Sequence, residues 1–124
     1  MEPPPVGLQS QILSGEVLPA EPVFRINRFT VPSASRTEFM TLIGDTLAVI
    51  RRQPGFVRDV VLENAPGLGA SSLMTLIEFA HAAVLPGVIE ALAADDRARG
   101  VDRTTELERM GVRAENGLYS LLDI

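Results

Sequence analysis

The chain has 124 residues, 46% of them hydrophobic and 22% charged, with a net charge of −5 and no cysteine. That balance belongs to one globular domain with a modest core and excludes a disordered chain. Without cysteine there is no disulfide and no thiolate chemistry, a lone His leaves little for a metal site, and the scattered arginines form no basic stripe for nucleic acid.

The first 22 residues, MEPPPVGLQSQILSGEVLPAEP, carry five prolines. They read as a flexible N-terminal arm, with a short helix over VGLQSQILSGEVL as the alternative. They lack the basic start and long apolar run of a secretory signal, and no stretch approaches the ~20 apolar residues of a membrane span. The expected location is cytoplasmic, and the folded domain is expected over residues 23–124.

VFRINRFTV, Val23 to Val31, alternates as a strand does. Phe24 and Ile26 fall on one face; Val23, Phe29 and Val31 fall on the other, beside Arg25 and Asn27. Pro32 ends it. Ser35 followed by Glu38 has the pattern of a capping box. Phe39, Leu42, Ile43, Thr46, Leu47 and Ile50 then recur at helical spacing. Arg51 and Arg52 suit the negative end of that helix, Pro54 stops it, and Gly55 permits a turn.

A second strand is expected from Phe56 to Glu63, with Phe56, Val60 and Leu62 on one face and Val57 and Val61 on the other. NAPGLGASS, Asn64 to Ser72, reads as a hairpin loop; its glycines match no phosphate-binding motif. Ser72 to Ala80 is the third strand, with Leu73, Ile77 and Phe79 opposite Met74, Leu76 and Ala80. An Ala-rich helix follows, with Pro86 in its first turn and Gly100 at its end. Val88, Leu92 and Ile89 are its inward candidates, and ADDRAR reads as a solvated helix end. A short helix capped by Asp102 and stopped by Gly111 turns Leu107 and Met110 inward. The last strand spans about Arg113 to Leu122.

The order is βαββαβ, a ferredoxin-like α+β plan with a four-stranded antiparallel sheet. Two helices cover one face of such a sheet. Three of these strands are apolar on both faces, so the second face needs cover, and a second copy of the chain about a two-fold axis is the economical choice. A homodimer is expected.

At this point FRINRFTVP leading into the first helix, QPGFV followed by DVVLE, and LIEFAHAA together resemble the antibiotic biosynthesis monooxygenase family, over about Phe24 to Leu121. The resemblance implies a dimeric α+β barrel. The family includes cofactor-free oxygenases of polyketide quinols, haem-degrading enzymes, and members without assigned activity. Its haem-degrading branch uses a first-strand Asn, a Trp near the end of the third strand and a His on the next helix. Asn27 resembles the first, Phe79 stands in the place of the second, and His81 lies at the helix start; one match in three argues against haem. The quinol oxygenases use Trp, Tyr, Asn and Arg. This chain has no Trp, and Tyr119 with Arg25, Arg28 or Arg58 are the residues available.

Three catalytic candidates follow. His81 is the lone imidazole, suited to taking a proton near neutral pH; its structural alternative is a cap in the strand-to-helix turn. Asn27, a polar residue among apolar neighbours, needs a partner, either a ligand oxygen or a neighbouring strand. Tyr119 could donate a proton, or pack its ring at an interface. Glu78 is either a buried base or a salt-bridge partner across the dimer, Arg58 either snorkels or meets an anion, and Phe29, Phe39, Phe56 and Phe79 read as core. No nucleophile elbow and no dinucleotide or flavin fingerprint is present. The expectation is a monooxygenase-like homodimer acting on a small aromatic or polyketide-type substrate with no cofactor and no metal. The alternative is a non-redox binding or cyclase-like protein.

Overall fold

In the computed structural model, residues 21–64 and 70–124 are described, together with the backbone of two short strands, β1 (Val6–Leu8) and β2 (Ile12–Ser14), which pair antiparallel. Those two segments of the arm are therefore extended and not helical. The rest of the arm, and the middle of the Asn64–Ser72 loop, lie outside the described residues.

The main sheet holds β3 (Val23–Pro32), β4 (Phe56–Glu63), β5 (Ala70–Phe79) and β6 (Arg113–Ser120) in the order β4-β5-β3-β6, every neighbouring pair antiparallel. α1 (Arg36–Arg51), α2 (Leu85–Arg99) and α3 (Arg103–Met110) complete the ferredoxin-like α+β fold. Among the described residues no helix is long and apolar enough to cross a membrane.

The core lies between the sheet and the helices. Phe29 and Val31 of β3 and Leu73, Ile77 and Phe79 of β5 pack against Phe39, Leu42, Ile43, Leu47 and Ile50 of α1. Phe29 and Phe39 meet edge to face with ring centres 5.0 Å apart. Val88, Met110 and Val112 close the far side.

Local sequence accounts for most element ends, with informative exceptions. Ser35 does stand at the start of α1, but its side chain makes no cap; its Oγ donates to the Met110 carbonyl at 2.8 Å, tying α1 to the end of α3. The expected capping box is replaced by a tertiary bond. Phe56 pairs with Phe79 and then a bulge at Val57 brings Arg58 opposite Glu78. The bulge moves Phe56 to the core side, away from Val60 and Leu62. The Asp95–Arg99 run is not merely solvated either. Arg103, only 14% exposed, donates to Asp95 at 2.8 Å, to Asp96, and to the Leu92 carbonyl at 3.1 Å, so the end of α2 anchors the start of α3.

The second face of the sheet carries Phe24, Ile26, Val60, Leu62, Met74, Leu76 and Tyr119. None of these is buried, and Leu62 and Tyr119 are half exposed. α1, α2 and α3 serve the other face.

Gly55 turns at φ +90°, and a Cβ there would stand 2.9 Å from Val84 Cβ and closer still to a Val84 methyl. Gly55→Ala is expected to cost about 2 kcal/mol or more; a urea-denaturation change under ~0.5 kcal/mol would mean that neither the backbone angle nor Val84 constrains the site.

Arg51 grips Asp59 through two bonds of 2.6 and 2.9 Å, and Arg36 grips Glu63 through two of 3.0 and 2.7 Å. These hydrogen bonds hold both carboxyls below their ordinary values, and the bond from Arg103 does the same to Asp95. A carboxyl depressed in the folded state stabilises above its unfolded value and loses that contribution as pH falls through the folded one. Stability should therefore fall with pH below about 4, and Arg51→Ala should make the decline shallower. Parallel curves for the two proteins in pH-dependent denaturation would rule out Asp59 as a source of the slope.

Candidate functional site

A cavity of about 200 Å³ opens between the helix-facing side of the sheet and the two long helices. Its walls are apolar: Ile77 and Phe79 from the sheet, Ile43 and Leu47 from α1, and Val88 and Leu92 from α2. Ile89, expected to face inward, is 64% exposed and forms the rim. The volume lies below the roughly 300–1,000 Å³ of typical drug-sized ligand sites. An apolar cavity of about 150 Å³ holds a benzene ring, so this one has room for one ring or a compact fused pair.

Four polar side chains reach the lining: Arg25, Asn27, Thr46 and Thr75. Strand alternation and register explain three of them. Arg25 and Asn27 occupy successive inward positions of β3, and Thr75 is the direct partner of Asn27 on β5. They form a chain of bonds: Arg25 Nε donates to Asn27 Oδ1 at 3.3 Å, and Asn27 Nδ2 donates to Thr75 Oγ1 at 3.0 Å. Thr75 is 3% exposed, so its hydroxyl is within the protein and next to the cavity. Thr46 is already occupied. It donates to the Leu42 carbonyl at 2.8 Å and accepts from Arg103 Nε at 2.8 Å.

The remaining capacity in this row consists mostly of donors. Arg25 retains its terminal N–H groups, Asn27 a second amide N–H, and Thr75 its O–H. The lining contains no Asp, Glu or His. Among the described residues no three His, Asp or Glu groups cluster as metal ligands. The chemistry available to this row is to receive, orient and stabilise an oxygen atom that carries or develops negative charge.

Of the sequence candidates, Asn27 lies at the centre of the row. His81 stands in the turn before α2, in extended conformation, where its Nδ1 accepts the Ala83 N–H at 3.2 Å and caps a short 3-10 turn, Ala82–Val84. It is not part of the lining. Tyr119 pairs with Phe24 across β6 and β3, on the face of the sheet away from the cavity, and is 53% exposed. Arg28 and Arg58 also face away. Arg28 lies 3.8 Å from Glu115, and Arg58 donates to Glu78 at 2.8 Å. Glu78 is thus a cross-strand ion-pair partner within the chain and no base in the cavity. Thr75 escaped sequence reasoning, although alternation in SLMTLIEF places it between Leu73 and Ile77 as a polar residue on an apolar face.

No protein-family model matches the chain, and no curated protein matches it. Solved structures do. A variant of SnoaB, a cofactor-independent oxygenase from Streptomyces nogalater, is 28% identical with a TM-score of 0.64, over 85% of this chain and 97% of that one. A second SnoaB structure aligns at 23% identity and a TM-score of 0.61, with the same coverage. A candidate monooxygenase from Shewanella loihica PV-4 is 17% identical with a TM-score of 0.63, over 85% of this chain and 98% of that one, a likeness of fold. The chain therefore shares its fold with these structures and is similar in sequence to a cofactor-independent oxygenase.

Proposed function

We propose that the protein is a cofactor-independent monooxygenase of small, electron-rich aromatic substrates. The observation that carries this reading is a donor-rich row, Arg25–Asn27–Thr75, inside an otherwise apolar cavity, in a chain 28% identical to a cofactor-independent oxygenase. Asn27, with Arg25 and Thr75 on either side, receives a phenol or enol oxygen and stabilises its anion. That stabilisation makes the substrate itself more acidic, and the proton leaves to water, since the lining offers no base. The electron-rich anion passes one electron to O₂, the radical pair combines to a peroxide, and loss of water leaves a carbonyl. A CH₂ group and O₂ become C=O and H₂O. The dry walls keep competing protonation low.

Oxygen uptake with naphthoresorcinol, a two-ring diol that gains one oxygen to become a hydroxynaphthoquinone, tests this. The protein should speed uptake above buffer, and labelled O₂ should leave one atom in the product. Asn27→Ala should lower the rate by about a hundredfold, the scale of losing one donor to a developing oxyanion. His81→Ala should leave it unchanged. Uptake no faster than buffer, or Asn27→Ala as fast as the parent, rejects the proposal.

The lack of a carboxylate or imidazole in the lining favours a second reading, a non-redox binding or cyclase-like protein. Turnover of a substrate at the same rate without oxygen would select it.

We further propose that a second copy of the chain covers the apolar sheet face in a homodimer. The support is the absence, among the described residues, of any helix on that face and the size of its side chains, Phe24, Ile26, Met74 and Leu76 among them. Sedimentation at micromolar concentration should give twice the mass of the chain, and Leu76→Arg should give single chains. A parent protein that sediments as a single chain defeats the proposal.

A further inference from the structure

The arginines of this chain are mostly spent on carboxylates. Arg36, Arg51, Arg58, Arg103 and Arg109 each bind one or more, at separations within hydrogen-bond reach. Arg25 departs from that pattern, as do Arg52 and Arg113, but those two are exposed at the surface. The one side-chain partner of Arg25 among the described residues is the neutral Asn27. Yet it is the arginine that lines the cavity, half-buried beside Phe79 and Ile77. A cation held against apolar walls without a counter-ion is costly. A surplus of positive charge does not explain it, because the chain is acidic, at −5. No carboxylate in the lining stands ready to neutralise Arg25 or to repel an anion.

We infer that the cavity selects small aromatic anions, one or two rings bearing a carboxylate or phenolate whose charged oxygen docks on Arg25. This rests on the cavity being the substrate site and adds the charge and size of what enters it. The guanidinium supplies a planar pair of N–H donors suited to such an oxygen. Asn27 and Thr75 present one further donor each, and the cavity of about 200 Å³ admits no more than a compact ring system.

The test is binding, so it does not depend on oxygen chemistry. Naphthoate and its neutral counterpart naphthamide are titrated into the full chain by NMR. Naphthoate should bind at one per chain, about tenfold tighter than naphthamide, the scale of a hydrogen bond to a charged group. Arg25→Met should erase the preference by weakening naphthoate far more than naphthamide, and the naphthamide binding that remains reports an intact cavity. Should Arg25→Met not fold, Arg25→Gln serves, since it keeps a donor and lacks the charge; it too should lose the preference. Equal affinity for the two probes, a preference that survives removal of the charge, or no saturable binding of naphthoate overturns the inference. Selective naphthoate binding without oxygen uptake from naphthoresorcinol leaves the anion site standing and removes the oxygenase. Oxygen uptake without the preference does the reverse.

Discussion

The pairing of β3 with β5 is the constraint from which the rest follows. In that register Asn27 lies opposite Thr75, Phe29 opposite Leu73, and Arg25 opposite Ile77. One face of the two central strands thus carries a polar row, Arg25, Asn27 and Thr75, with apolar pairs beyond it at both ends. A slip of one residue would turn Phe29 and Val31 outward and remove Asn27 from Thr75. Core packing and the polar row therefore depend on the same ladder. Burial of Phe29, Val31, Leu73 and Phe79 fixes the positions of Asn27 and Thr75, whose own single bond is worth only about 1 kcal/mol.

The helices complete the cavity without supplying its polar groups. α1 and α2 present Ile43, Leu47, Val88 and Leu92, and the one helical hydroxyl, Thr46, is held by Arg103 and its own helix backbone. α3 acts from outside. Arg103 joins Asp95, Asp96 and the Leu92 carbonyl to Thr46, so the wall residue Leu92 and the wall residue Thr46 are braced by one guanidinium. The ion pairs at the sheet margin, Arg51–Asp59 and Arg36–Glu63, fasten the edge strand β4 to α1. Most arginines are thus held by carboxylates, whereas Arg25, in the cavity wall, has no carboxylate partner among the described residues.

The two faces of the sheet also divide the candidate chemistry. Residues of even number on β3 and β5, with Tyr119 and Arg58, belong to the uncovered side; Arg25, Asn27 and Thr75 belong to the cavity.

Much of this was legible in the sequence, because periodicity of two and of 3.6 is a local property. The alternation in VFRINRFTV placed Asn27 and Arg25 on one face with Val23, Phe29 and Val31, and the stripe from Phe39 to Ile50 placed α1. The βαββαβ order alone identified the ferredoxin-like plan. The tertiary structure decided what depends on residues distant in sequence. Ser35 prefers the Met110 carbonyl, 75 residues away, to the local cap. A bulge beside β5 moves Phe56 to the core. Arg103 converts a charged helix end into an anchor. His81 is a lone imidazole in any reading of composition, but the fold uses its Nδ1 for a turn, while pairing across 48 residues brings Thr75 to Asn27. A single strand shows which way a side chain points, and only the packed sheet shows what it meets there.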